Sequence, residues 1–312
     1  MKVEDYSARP GLGILLKLMA IFLFTCMSAI VKAVSDDVPA GEAVFFRSFF
    51  AIPVILLWLA QQGQLRIGLV PVSPMGHFWR GLFGTMAMGL TFTGLGLLPL
   101  PEVTAIGFAT PIFTVVLAAV MLGERIRLLR VSAVVIGLVG VLIILWPRFA
   151  GGASYDQAAT IGAIVILLAT LMRSLVQVHL RQLVQSEHTA AIVFYFSATA
   201  SVLSLLTAPF GWVVPQGETL VLLISAGVVG GMAQIFITSS YRFGTVSMLA
   251  PYDYTSMLFA IVLGYVLFGE VATVNMLAGA ALVIAAGALV IWRERQLGME
   301  RAKVRSVTDP KG

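Results

Sequence analysis

One cysteine stands among 312 residues. Cys26 lies inside an apolar run, so an intrachain disulfide and a cysteine metal cluster are both excluded, and it reads as a small packing residue. Charge is scarce too. Only 11% of the residues are Asp, Glu, Lys or Arg, against roughly 25% in a soluble domain. With 59% hydrophobic residues and a mean hydropathy of +0.97, that shortage excludes a soluble enzyme. The three histidines, His77, His179 and His188, fall near predicted helix ends, where a solvated imidazole is the ordinary state. Paired-His metal spacing, GxSxG and a Walker loop are missing. No catalysis, cofactor or metal is therefore expected. The net charge of +5 is spread over short loops and a tail rather than gathered in a patch, which argues against nucleic acid as a partner.

Long apolar runs are what the chain does have. A β-barrel would alternate apolar and polar residues every other position, whereas 133–146 is continuously apolar. A helix needs about 20 apolar residues to cross the hydrocarbon core. Gly, Pro and charge divide the chain into ten such helices, at 11–34, 41–60, 77–98, 101–122, 128–146, 160–180, 190–209, 219–239, 246–268 and 271–292. Lys and Arg favour cytoplasmic loops. With the N-terminus inside, Arg66, Arg80, Arg125, Arg127, Arg130, Arg181, Arg242 and the basic tail all fall on the cytoplasmic side, and essentially Arg148 alone falls outside. An uncleaved first helix and two cytoplasmic termini are expected.

The chain also repeats itself. A displacement of 146 residues carries Gly81, Gly84, Met86 and Ala87 onto Gly227, Gly230, Met232 and Ala233. The same displacement carries Gly123-Glu124 onto Gly269-Glu270 and Trp146 onto Trp292. Earlier in the chain the displacement is 149, pairing Gly13 with Gly162 and Ser48 with Ser197. Five helices is an odd number, so the halves enter the membrane from opposite sides. Inverted repeats of this kind build secondary transporters, with substrate near the midplane. The expected organisation is a cytoplasmic N-terminus at 1–10, a first repeat at 11–147, an external linker at 148–159, a second repeat at 160–292 and a basic cytoplasmic tail at 293–312.

The segment from Pro101 to Pro111 and on through Gly123-Glu124-Arg125, with its counterpart from Tyr241 through Ala250-Pro251-Tyr252-Asp253-Tyr254 to Gly269-Glu270, resembles the two halves of the EamA fold of the drug/metabolite transporter superfamily. The resemblance spans nearly the whole chain. It implies an all-α membrane protein of ten transmembrane helices in two inverted five-helix bundles, in a bacterial inner membrane. It also implies cargo such as amino acids, their metabolites, vitamins or drugs. Within the superfamily the chain is similar to aromatic amino-acid exporters and to riboflavin and S-adenosylmethionine carriers. The expected function is therefore a secondary transporter, with amino-acid export preferred, riboflavin or S-adenosylmethionine uptake as the alternative, and a passive channel as the reading from another class. The expected partners are a small-molecule substrate, the lipid bilayer and protons as coupling ion.

An ionisable group at membrane depth costs about 2.5–3.5 kcal/mol, so each needs a reason. Lys17 and Arg173 are long enough to snorkel to the cytoplasmic surface. Arg47, among Phe45, Phe46, Phe49 and Phe50, either snorkels or faces the bundle to hold a substrate carboxylate. Asp253 is too short to snorkel, and Pro251 just before it frees a backbone carbonyl one turn back. It is the candidate for a substrate ammonium or a proton, the alternative being a structural partner for an Arg or Tyr. Phe46, Phe92, Tyr195, Tyr252 and Tyr254 are candidate stacking surfaces, and Gln234 and Thr110 are candidate polar lining. Gly81, Gly84, Thr85 and Gly89, with Gly227, Gly230 and Gly231, form seams of small residues that let helices approach closely in lipid. Glu124 and Glu270 are expected to fix the turns that follow their helices.

Overall fold

A computed structural model of the chain describes residues 10–63, 65, 69–122, 128–150, 157–243, 246–289 and 292. Among these residues the structure is helical throughout, without strands. The elements are α1 (Pro10–Ala33), α2 (Ala40–Gln61), α3 (Pro74–Leu97), α4 (Leu100–Gly107), α5 (Thr110–Leu122), α6 (Leu128–Ala150), α7 (Gln157–Ser186), α8 (Thr189–Leu205), α9 (Gly217–Phe243), α10 (Val246–Leu249), a 3₁₀ turn (Ala250–Tyr254) and α11 (Thr255–Phe268). A last helix, α12 (Val274–Leu289), follows. Four helices are long and apolar enough to cross a membrane by length and composition: Gly11–Ala33, Ala40–Gln61, Gln157–Leu180 and Gly217–Ser240. The expected fourth and ninth helices are not continuous. The fourth is α4 and α5 in succession, and the ninth is α10, the 3₁₀ turn and α11. Counted as one each, they bring the helices among the described residues to ten.

Local chemistry explains the ends. Ser73 opens α3 by accepting from the Gly76 N–H at 3.3 Å, with Pro74 behind it in the first turn, where a missing N–H costs nothing. Gly269 closes α11 with φ at 66°, a left-handed conformation that glycine adopts without strain. The Glu270 N–H then reaches back to the Gly264 carbonyl at 3.0 Å, the bond that finishes a helix in this way.

The two halves interlock. The most extensive pairings are α1 with α9 and α3 with α7, which the repeat relates to one another. Large apolar side chains stand on the outside, among them Leu57, Val202, Leu258, Val262 and Val266, while alanine dominates the interior. That distribution suits a bilayer, where the solvent is itself apolar and close packing draws helices together. The helices touch where glycines permit it: Gly81 lies against Thr199, Gly227 against Phe50, Gly231 against Ala51 and Val54, and Gly140 and Gly279 against each other's carbonyls. Gly89 borders open space instead, and Thr85 turns its hydroxyl to the Gly81 carbonyl of its own helix at 2.7 Å. The stripe on α3 therefore packs through Gly81 and Gly84 and not along its whole length.

Candidate substrate pathway

Proline decides where the fourth helix breaks. Pro111 has no N–H for the Gly107 carbonyl four residues back, and the Thr110 hydroxyl donates to that carbonyl at 2.8 Å. In the other half, Pro251 stands inside the 3₁₀ turn, and the Ser256 hydroxyl donates to the Asp253 carbonyl at 2.7 Å. The 146-residue displacement carries Gly107 onto Asp253 and Thr110 onto Ser256, so equivalent hydroxyls bond equivalent carbonyls in both halves, but only in the first half is that carbonyl the one a proline frees. The breaks also meet. Phe108 and Tyr254, again equivalent positions, contact edge to face with ring centroids 5.3 Å apart. The two repeats thus meet at two interrupted helices, and interrupted helices give transporters free backbone groups.

A cation stands beside each break, from the first helix of the opposite half. Lys17 of α1 reaches Asp253 at 2.7 Å, with 2% of the lysine side chain and 52% of the aspartate side chain exposed. Arg173 of α7 lies against Gly107 and donates to the Thr91 hydroxyl at 3.0 Å. Neither cation snorkels to the surface as expected. Lys17 is drawn inward by a carboxylate, and Arg173 by a hydroxyl and the carbonyl end of α4, where a positive charge is favourable. Asp253 replaces a glycine of the first repeat, so only one of the two breaks carries a carboxylate.

Arg47 faces inward, 2% exposed. Its guanidinium carbon lies 5.7 Å from the centre of the Phe196 ring, and that of Arg80 lies 4.2 Å from the same ring. Arg47 also borders Gly230, next to Met27 of α1. Met27 follows Lys17 by ten residues, or about 15 Å of helix. Asp253 and Arg47 thus meet α1 at positions about 15 Å of helix apart, the first at Lys17 and the second beside Met27.

The other expected lining residues divide. Phe92 is buried at a cleft of about 280 Å³ between α1, α2 and α3, together with Ser35, Asp36, Ala43 and Gly96. Phe46 stacks with Phe50 at 5.9 Å. Tyr195 packs on His77 at 4.8 Å and donates to the Leu69 carbonyl at 3.0 Å, which ties it to a connecting segment. Tyr252 and Gln234 are partly buried on the broken helix and on α9. His77 is not solvated as expected: it is buried and faces Glu187 at 3.2 Å.

At the opposite end of α1, a latch appears that the sequence did not announce. Lys32 donates to the Leu95 and Leu98 carbonyls at 3.0 and 2.8 Å, and pairs with Glu270 at 3.0 Å. The other oxygen of Glu270 accepts from the Leu100 N–H at 2.8 Å. The lysine satisfies the carbonyl end of α3 and the glutamate the amide end of α4, each in the polarity that a helix terminus favours. Glu270 thus fixes more than its own turn. Its counterpart Glu124 lies outside the described residues.

The EamA-like transporter family model matches residues 11–146 and again 160–292. The chain belongs to the EamA-like transporter family. A pseudopaline exporter, CntI, of Pseudomonas aeruginosa is 31% identical over 281 residues, covering 88% of this chain and 94% of the relative. S-adenosylmethionine uptake transporters of Rickettsia felis and Rickettsia prowazekii are 27% and 25% identical, over 82% and 91% of this chain and 84% and 94% of their own lengths. A solved crystal structure, 21% identical, has the same fold, with a TM-score of 0.63 over 91% of this chain and 98% of its own. The family and its named members are transporters, not enzymes. This EamA chain is accordingly a multi-pass membrane transporter of small molecules built from a repeated domain.

Proposed function

We propose that this EamA protein is a secondary transporter that exports amino acids, aromatic ones above all, across a bacterial inner membrane by alternating access, with both termini cytoplasmic. The observation that carries this reading is the pair of equivalent helix breaks meeting at Phe108 and Tyr254, with the Lys17–Asp253 pair beside one of them. An interrupted helix rocks more readily than a continuous one and offers unpaired backbone groups to a polar ligand. Asp253 is open on one side while its lysine is buried, so a substrate ammonium or a proton reaches the carboxylate and competes with Lys17 for it. Protonation or substrate binding at Asp253 releases Lys17, and α1 is then free to move against the second half. The Tyr252 and Tyr254 rings beside the aspartate suit an aromatic side chain.

The experiment is counterflow in proteoliposomes loaded separately with phenylalanine, tryptophan, threonine, riboflavin and S-adenosylmethionine. Saturable exchange confined to amino acids supports export of that class. The names of the Rickettsia relatives favour a second reading, S-adenosylmethionine uptake, and exchange of that compound alone would select it. Flux that never saturates would reject alternating access in favour of a passive channel.

A further inference from the structure

Five buried hydrogen-bond donors collect on adjoining positions of three helices and find no acceptor among the described residues. They are Nε and Nη1 of Arg47, Nε of Arg80, and the hydroxyls of Ser48 and Ser197. Arg47 and Ser48 are neighbours on α2, and Phe196 and Ser197 are neighbours on α8. The 149-residue displacement carries the first pair onto the second, so the cluster sits where the two repeats face one another. Phe196 is the hub, with both guanidinium groups against its ring. A ring face attracts a cation, but it cannot accept five hydrogen bonds or neutralise two like charges.

The acids nearby do not pair with the arginines, although Oε1 of Glu42 is itself buried without a hydrogen-bond partner. Glu42 turns one oxygen to the Val213 N–H at 3.0 Å, and Glu187 turns to the Ser73 N–H and to His77. Neither forms an ion pair with Arg47 or Arg80. Two unneutralised arginines side by side, Arg47 buried and Arg80 half-buried, are costly, and fork-shaped donors match a carboxylate in geometry as well as charge. The nearest opening is the cleft between α1, α2 and α3, which Ala43 lines, and Arg47 follows Ala43 by one helical turn on the same face of α2.

We propose that Arg47 and Arg80, held around Phe196 and flanked by Ser48 and Ser197, form an anion subsite for a carboxylate-bearing substrate, separate from the Lys17–Asp253 locus. The proposal rests on the transport reading only in taking the anion to be cargo. It adds that the anionic end of the cargo is bound between α2, α3 and α8, about 15 Å of helix from Asp253. A short zwitterion therefore visits the two loci in turn, and only an extended molecule bridges them.

The test is thermal unfolding of the purified full-length protein in detergent, titrated with sodium 3-phenylpropionate, with 2-phenylethylamine hydrochloride and with sodium chloride as the ionic-strength control. A ligand that binds the native state raises the unfolding temperature. We expect 3-phenylpropionate to do so saturably in the wild type. Its half-saturating concentration should rise about tenfold or more in Arg80→Lys and Arg47→Lys, which keep the charge and lose the fork. The amine should respond to neither substitution. Equal half-saturation in wild type and variants, or no saturable carboxylate effect in the wild type, overturns the subsite. If neither variant is recovered folded, phenylglyoxal labelling of wild-type Arg80 replaces them. Protection by 3-phenylpropionate and not by 2-phenylethylamine supports the subsite, and equal labelling overturns it. The two readings fail separately. Carboxylate stabilisation lost in the arginine variants, with no amino-acid counterflow in the wild type, rejects amino-acid export and keeps the subsite. Amino-acid counterflow unchanged by Arg80→Lys does the reverse.

Discussion

Asp253→Asn removes one charge from a pair held at 2.7 Å and leaves the geometry of the side chain almost unchanged. Lys17 stays behind with 2% of its side chain exposed, so the variant carries an ammonium in an apolar bundle without its carboxylate. Breaking a fully buried pair on one side costs about 3–5 kcal/mol. Half of the Asp253 side chain is open, which weakens the pair, and a loss of about 1–3 kcal/mol is expected. The functional loss is separate. If Asp253 receives a substrate ammonium, removing a charge-assisted hydrogen bond of about 1.5–3 kcal/mol should raise the half-saturating substrate concentration about tenfold to a hundredfold. The two effects are divided by the double variant Lys17→Met with Asp253→Asn, which removes both charges and should recover thermal stability toward the wild type. The assay is counterflow in proteoliposomes beside an unfolding temperature for each variant. Stability recovered with transport still lost places Asp253 in the mechanism. Stability and transport recovered together would refute the reasoning, because the pair would then serve packing alone.

Three further outcomes follow from other parts of the structure. Glu270→Ala takes from Lys32 its ion partner and from Leu100 its acceptor, and should destabilise the protein by about 2–4 kcal/mol, read as a lowered unfolding temperature that Lys32→Met partly restores. Gly279→Leu drives a side chain into the Gly140 carbonyl and Ile144, so a loss of about 1–3 kcal/mol or more is expected from overpacking, whereas Gly89→Ala, facing open space, should leave the unfolding temperature unchanged. Burial alone would raise the Glu187 carboxyl, but the Ser73 and Val72 N–H groups and His77 outweigh it and hold the carboxyl below its ordinary 4.5. A depressed value means stability that is complete above pH 4.5 and lost as pH falls through the lower folded value. The stability gap between wild type and Glu187→Gln should therefore be full at pH 7 and close in acid, and a gap that widens in acid would contradict the assignment.

Much of the frame was legible in the sequence because hydropathy reports depth. Apolar runs of membrane length and the repeat that carries Gly81 onto Gly227 together imply ten helices in two related halves without any coordinate. Even the breaks left a trace: Pro111 and Pro251 are visible, and so is the Thr110 hydroxyl that takes the carbonyl Pro111 frees. What the sequence could not rank was the prolines' effect, because a proline in a transmembrane helix is accommodated by a kink or by a full interruption, depending on which side chain takes the freed carbonyl.

The sequence by itself determined the number of helices and the repeat. Tertiary structure alone decided the partners. Lys17 was read as a snorkelling lysine and instead meets Asp253, Lys32 closes on Glu270, and Arg80, read as a cytoplasmic charge, converges with Arg47 on Phe196. The physical reason lies in the helices, which are apolar on nearly every side. A soluble helix marks its buried face by polar residues on the other, but in lipid both faces are apolar and rotation about the axis leaves no signature along the chain. Depth can be read in one dimension, whereas the direction in which a side chain points is set only when its neighbours pack.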